Sequence, residues 1–108
     1  MKIFSIDREE VERAVDQWVR ALKGAHPEIE RVIWFGSWIH GRPTPGSDVD
    51  ICLVLSSSAK RFRDRIPDYL PDRFPTGIDL FPCTAAELER LETESPELHA
   101  AIALGREI

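Results

Sequence analysis

Residues 31–55 read RVIWFGSWIHGRPTPGSDVDICLVL, and this stretch decides the fold. Arg31-Val32-Ile33-Trp34-Phe35 is rich in β-branched and aromatic residues and predicts a buried strand. Gly36-Ser37 ends it abruptly. The segment Gly41-Arg42-Pro43-Thr44-Pro45-Gly46-Ser47 is too dense in Pro and Gly for helix or strand, so it reads as a turn-rich loop. A second strand, Asp48-Val49-Asp50-Ile51-Cys52-Leu53-Val54-Leu55, follows directly.

The flanks supply the helices. Upstream, Asp7 and Glu10 have the form of a capping box. Val11, Ala14, Val15, Trp18, Val19 and Leu22 then make one apolar stripe at helical spacing, ending near Gly24 and Pro27, so Trp18 belongs to the core. Downstream, Ser56-Ser57-Ser58 leads to a short helix with Phe62 and Ile66 on one side, stopped by Pro67. Gly77-Ile78-Asp79-Leu80-Phe81 predicts a third strand. Thr84 with Glu87 opens another capped helix through Leu88 and Leu91, and Ser95-Pro96 starts a last one ending at Gly105. The predicted order is α-β-turn-β-α-β-α-α, a single α/β domain over residues 1–108 around a small sheet.

Composition agrees. The 108 residues are 43% apolar and 31% charged, far from the disordered class. A chain this long buries roughly two-thirds of its unfolded surface and needs no disulfide scaffold. No apolar run is longer than Ile51 to Leu55, far short of the ~18 residues of a membrane span. Charge at Lys2 and Asp7 leaves no signal-peptide apolar region. Cys52 reads as a buried thiol, neither cysteine belongs to a C-x-x-C, and a reducing, cytoplasmic setting is expected. Nineteen acids against fourteen bases, a net charge of −5, disfavour a nucleic-acid backbone binder. The basic run Lys60, Arg61, Arg63, Arg65 and the Glu-rich tail from Glu87 to Glu107 read as solvated helix faces.

The chemistry lies in three aspartates within otherwise apolar strands. Side chains alternate along a strand, so Asp48 and Asp50 share a face, while Val49, Ile51, Leu53 and Leu55 point the other way. Asp79 repeats the pattern in the third strand. Three carboxylates on one sheet face repel unless cations lie between them, and such hard oxygen ligands suit Mg²⁺ or Mn²⁺. Gly36 permits close backbone approach, and the Ser37 hydroxyl can donate to a phosphate oxygen.

Gly36-Ser37, ten intervening residues, then Asp48-Val49-Asp50 resembles the signature of the nucleotidyltransferases of the DNA polymerase beta superfamily. The apolar strand before it, Gly41 in the loop, Ser47 before the first Asp, and Ile78-Asp79-Leu80 as the third-carboxylate strand extend the resemblance over residues 30–91. At this length the chain is similar to a minimal nucleotidyltransferase. The resemblance implies a small mixed β-sheet flanked by helices, with a palm-like arrangement. It implies that Asp48, Asp50 and Asp79 are catalytic and hold two Mg²⁺ ions, with Mn²⁺ as a substitute. It places Gly36, Ser37, Ser47 and Arg42 at the nucleotide, with ATP the expected donor.

Many minimal members are found beside a HEPN-domain protein in toxin–antitoxin modules. The resemblance therefore implies a HEPN partner and transfer of AMP to a protein hydroxyl. The alternatives are a non-catalytic subunit that neutralises its partner by contact, or a transferase acting on a small molecule. One departure stands out. Where relatives often carry an Arg-rich segment after Gly-Ser, this chain has Trp38-Ile39-His40, so Arg42 or His40 would have to offset triphosphate charge. Trp38 is open to base stacking, partner contact or packing. Self-association through a sheet edge or the Trp34–Trp38 region is left undecided.

Overall fold

The computed structural model describes residues 7–44 and 47–108. Pro45-Gly46 of the predicted turn, and Met1–Ile6 at the N-terminus, lie outside the described residues. In chain order the elements are α1 (Arg8–Ala25), β1 (Ile29–Phe35), α2 (Ser37–His40), β2 (Val49–Leu55), α3 (Phe62–Tyr69), β3 (Ile78–Thr84), α4 (Ala85–Glu94), α5 (Pro96–Ala103) and β4 (Arg106–Glu107). No helix among them is long and apolar enough to cross a membrane.

The sheet runs β3-β2-β1-β4, with β1 antiparallel to β2 and β4, and β2 parallel to β3. It is a mixed sheet flanked by helices, as expected. The alternation of β2 divides the core into two layers. Val49, Ile51, Leu53 and Leu55 pack with Val32, Trp34 and the α1 stripe of Val11, Val15, Trp18, Val19 and Leu22. Cys52 and Val54 face the opposite side with Ile33, Phe35, Cys83 and Ile102 of α5. Each large apolar side chain so buried contributes about 1.5–3 kcal/mol. Cys52 and Cys83 are free thiols with sulfurs 3.6 Å apart in that second layer.

Four sequence expectations need correction. Helix α3 does not stop at Pro67 but continues to Tyr69. The proline removes one intrahelical N–H. The last turn is secured from outside, because Tyr69 is buried and its hydroxyl donates to Glu28 Oε2 at 2.8 Å. Strand β3 runs past Phe81 through Pro82 to Thr84, which an edge strand tolerates because its outer side forms no ladder. The two-residue β4 was not foreseen, since nothing in Arg106-Glu107 alternates. It forms where Gly105 lets the chain close onto β1. Asp7 caps α1 through the amide of Glu9, one residue earlier than the capping-box geometry.

The basic run is not a uniformly solvated face either. Lys60, Arg61 and Arg63 are exposed, but Arg65 is only 5% exposed. Its Nε donates to the Lys60 carbonyl, and its Nη1 to the Pro82 carbonyl at 3.0 Å and to Glu87 Oε1 at 2.6 Å. Glu87 also accepts from the Thr84 amide at 2.7 Å, completing the α4 capping box predicted from sequence. One arginine thus joins α3, the end of β3 and the start of α4.

The Arg65 hydrogen bond, which outweighs the opposing effect of burial, holds the Glu87 carboxyl down to about 2. A depressed carboxyl stabilises the fold above its ordinary value of 4.5 and loses that contribution as pH falls through about 2. Glu87→Gln should therefore lower the melting temperature at neutral pH, with the deficit closing as pH approaches 2. Arg65→Met, which leaves Glu87 unpaired, should cost about 3 kcal/mol, at the low end of the range for a broken buried pair because Glu87 is part-exposed. Thermal denaturation across pH measures both.

Candidate active site

The site forms where three strands align. Phe35 pairs with Asp50 across the antiparallel β1–β2 ladder, and Asp50 pairs with Asp79 across the parallel β2–β3 ladder. Asp50 lies on the same face of β2 as Cys52 and Val54, and Asp79 on the same face of β3 as Phe81 and Cys83. The acidic positions therefore continue the apolar face covered by α4 and α5, at the end of the sheet where β1 gives way to α2. Asp48 and Asp79 are exposed, and Asp50 is half-buried.

Two glycines hold the backbone against these carboxylates. Gly36 has φ 87° and ψ −157°, a conformation that residues with a Cβ avoid. A Cβ built there would lie 1.9 Å from Asp50 Oδ2. Gly36 thus meets two demands, a left-handed turn and room for the carboxylate. At Gly77, a Cβ would lie 2.2 Å from Asp48 Oδ1. After Gly36 the chain enters α2, where Ile39 and His40 donate to the Gly36 carbonyl. The amides of Ser37 and Trp38 stand ahead of that first bonded turn, where a helix start presents N–H groups to an anion.

The electrostatics reflect the crowding. Burial first, then the charges of Asp79 and Asp48, pushes the Asp50 carboxyl up to about 6. Among the described residues no three His, Cys, Asp or Glu side chains draw together as a closed metal cluster. The donor set nevertheless fits a divalent cation: hard carboxylate oxygens from two adjacent strands, with glycine hydrogens instead of methyl groups facing two of them. A cation would favour the ionised form of Asp50 against the burial and the neighbouring charges that raise its carboxyl.

The nucleotidyltransferase domain family matches residues 15–100. The chain belongs to this family. The fold agrees with that of a protein from Sulfolobus solfataricus described as a nucleotidyltransferase, whose crystal structure superposes with a TM-score of 0.60. That match covers 77% of this chain and 75% of the other at 21% identity, and shows the shared fold. No curated protein sequence matches the chain. Nucleotidyltransferase domains generally use divalent metals and bind a nucleoside triphosphate.

In this nucleotidyltransferase the remaining sequence candidates take different places. Ser37 opens α2 beside Gly36. The Ser47 hydroxyl closes its own loop, accepting from the Thr44 amide at 2.8 Å, and its carbonyl accepts from Trp38 Nε1 at 3.2 Å. Trp38 is buried in the α1 layer with the Arg8 guanidinium 5.3 Å above its ring, so it packs rather than offering a face to a base. His40 Nε2 donates to the Leu104 carbonyl and ties α2 to the end of α5. Arg42 is exposed just after α2. Sequence reading missed Gly77 as a site residue. Its signal was only a small residue two positions before Asp79.

Two outcomes follow from this geometry. A carboxyl raised in the folded state opposes folding when ionised, so stability falls as pH rises through about 6. Asp50→Asn should therefore raise the melting temperature of the cation-free protein at neutral pH, and the gain should vanish in acid where Asp50 is protonated. Gly36→Ala should destabilise by about 1–3 kcal/mol from backbone strain alone, and chemical denaturation would measure it.

Proposed function

We propose that the protein transfers AMP from ATP to a hydroxyl of a partner protein, with Asp48, Asp50 and Asp79 as catalytic residues and ligands of two Mg²⁺ ions. The observation that carries the reading is the register that sets Asp50 beside Asp79, with Asp48 acting on the same carboxyl. Bound cations, Mg²⁺ or Mn²⁺, offset the negative charge that develops on the transferring phosphoryl group. Gly36 and Ser37 cradle the triphosphate at the start of α2, with Arg42 adding charge and Ser47 shaping the loop between them. Asp79 accepts the proton of the incoming hydroxyl. The oxygen bonds to the α-phosphorus, the bond from that phosphorus to the bridging oxygen breaks, and pyrophosphate leaves with the electron pair.

A protein acceptor is favoured by the openness of the carboxylate end, where Asp48 and Asp79 are exposed. A HEPN-domain protein, with which this chain would form a cytoplasmic toxin–antitoxin pair, is the proposed partner.

The test incubates the protein with α-labelled ATP, Mg²⁺ and the product of the adjacent gene. Label should appear on the partner, and the Asp48→Asn/Asp50→Asn protein should lose it by at least about 10³-fold, as expected when the groups that stabilise phosphoryl transfer are removed. Full protection against the partner by that double variant would instead establish neutralisation by contact.

A further inference from the structure

We propose that Gly77 is a positioning residue for the metal site: its missing side chain sets where the Asp48 carboxylate rests. The inference builds on the reading of Asp48 as a cation ligand. A Cβ at Gly77 would stand 2.2 Å from Asp48 Oδ1, closer than real Cβ atoms come to a neighbour, and a tight 3.1 Å from its Cγ. The nearest three atoms it would meet all belong to that one carboxylate. The site therefore has a wall made of glycine backbone, and the carboxylate leans on it.

The backbone at Gly77 has little freedom to retreat. Its carbonyl accepts from the Val49 amide at 3.0 Å, the residue next to Asp48, and from Thr76 Oγ1 at 2.9 Å. The following residue, Ile78, already pairs with Val49 in the β2–β3 ladder. An added methyl group would thus be accommodated by rotation of Asp48, an exposed side chain, and not by movement of either strand. Unlike Gly36, Gly77 is not in the left-handed region, so alanine is compatible with its backbone. A substitution here separates the site from the fold: the strands and core stay, and one ligand turns away.

The same reasoning distinguishes the two glycines. Gly36 faces Asp50 but also needs its positive φ, so any change there disturbs both the turn and the site. Gly77 acts on Asp48 alone. It therefore offers a way to move one carboxylate while keeping its charge, which Asp48→Asn cannot do.

The experiment measures Mn²⁺ binding to the nucleotide-free protein by electron paramagnetic resonance, together with the melting temperature in a chelator. Gly77→Ala should weaken Mn²⁺ binding by about tenfold or more, the range seen when a group that orients a metal ligand is lost. Its melting temperature in chelator should equal or exceed that of the unsubstituted protein. In the Asp48→Asn background, the same alanine should have no further effect, because it acts through that carboxylate. Weakening by Asp48→Asn without weakening by Gly77→Ala would overturn the role of Gly77 alone. So would additive effects of the two, or a lowered melting temperature. Unchanged Mn²⁺ binding in Asp48→Asn would overturn the ligand reading of Asp48 and the inference built on it.

Discussion

The structure turns on the repulsion among carboxylates that the strand ladders hold together. Asp50 is clamped between Phe35 on one side and Asp79 on the other by backbone hydrogen bonds that take no account of side-chain charge. The central strand has no freedom to slip, since a one-residue shift would send Val49, Ile51, Leu53 and Leu55 out of the α1 layer. Apolar burial along β2 thus supplies the force that keeps the acidic residues close, and burial first, then the charges of Asp79 and Asp48, raises the Asp50 carboxyl.

The rest of the molecule makes that constraint tolerable. Gly36 and Gly77 bring backbone up to the carboxylates without side-chain obstruction. The Arg65–Glu87 pair fixes the far end of β3 to α3 and α4, so the edge strand bearing Asp79 is fastened on its open side. Trp38 and His40 serve a similar end for α2. The first sinks into the α1 layer, and the second reaches the Leu104 carbonyl. Residues that stand where relatives often carry arginines are used here to anchor the short helix, which leaves Arg42 as the cation of that segment.

Much of this was legible from residue order. The capping box at Thr84-Glu87, the apolar stripe of α1 and the alternation through Asp48–Leu55 each report on neighbours within a few positions, and each was read correctly apart from boundaries. The errors at Pro67, Pro82 and Arg65 share one origin. Pro67 and Pro82 are breakers by local rule, yet α3 and β3 continue through them because Tyr69 bonds Glu28 and because β3 lies at a sheet edge. Arg65 resembled its solvated neighbours, and only the arrival of Pro82 and Glu87 from seventeen and twenty-two residues away makes burial of its charge affordable.

The sequence by itself determined which residue types face which side of each strand, and so which chemistry the protein carries, because alternation is a property of the chain. It determined the family through the spacing of Gly36-Ser37 and Asp48-Val49-Asp50. The tertiary structure alone decided that Asp79 stands beside Asp50, that Gly77 stands against Asp48, and that Ser47, Trp38 and His40 support the loop and helix around the site. Those relations join positions distant along the chain, and strand register and packing set them through forces that no short stretch of sequence contains.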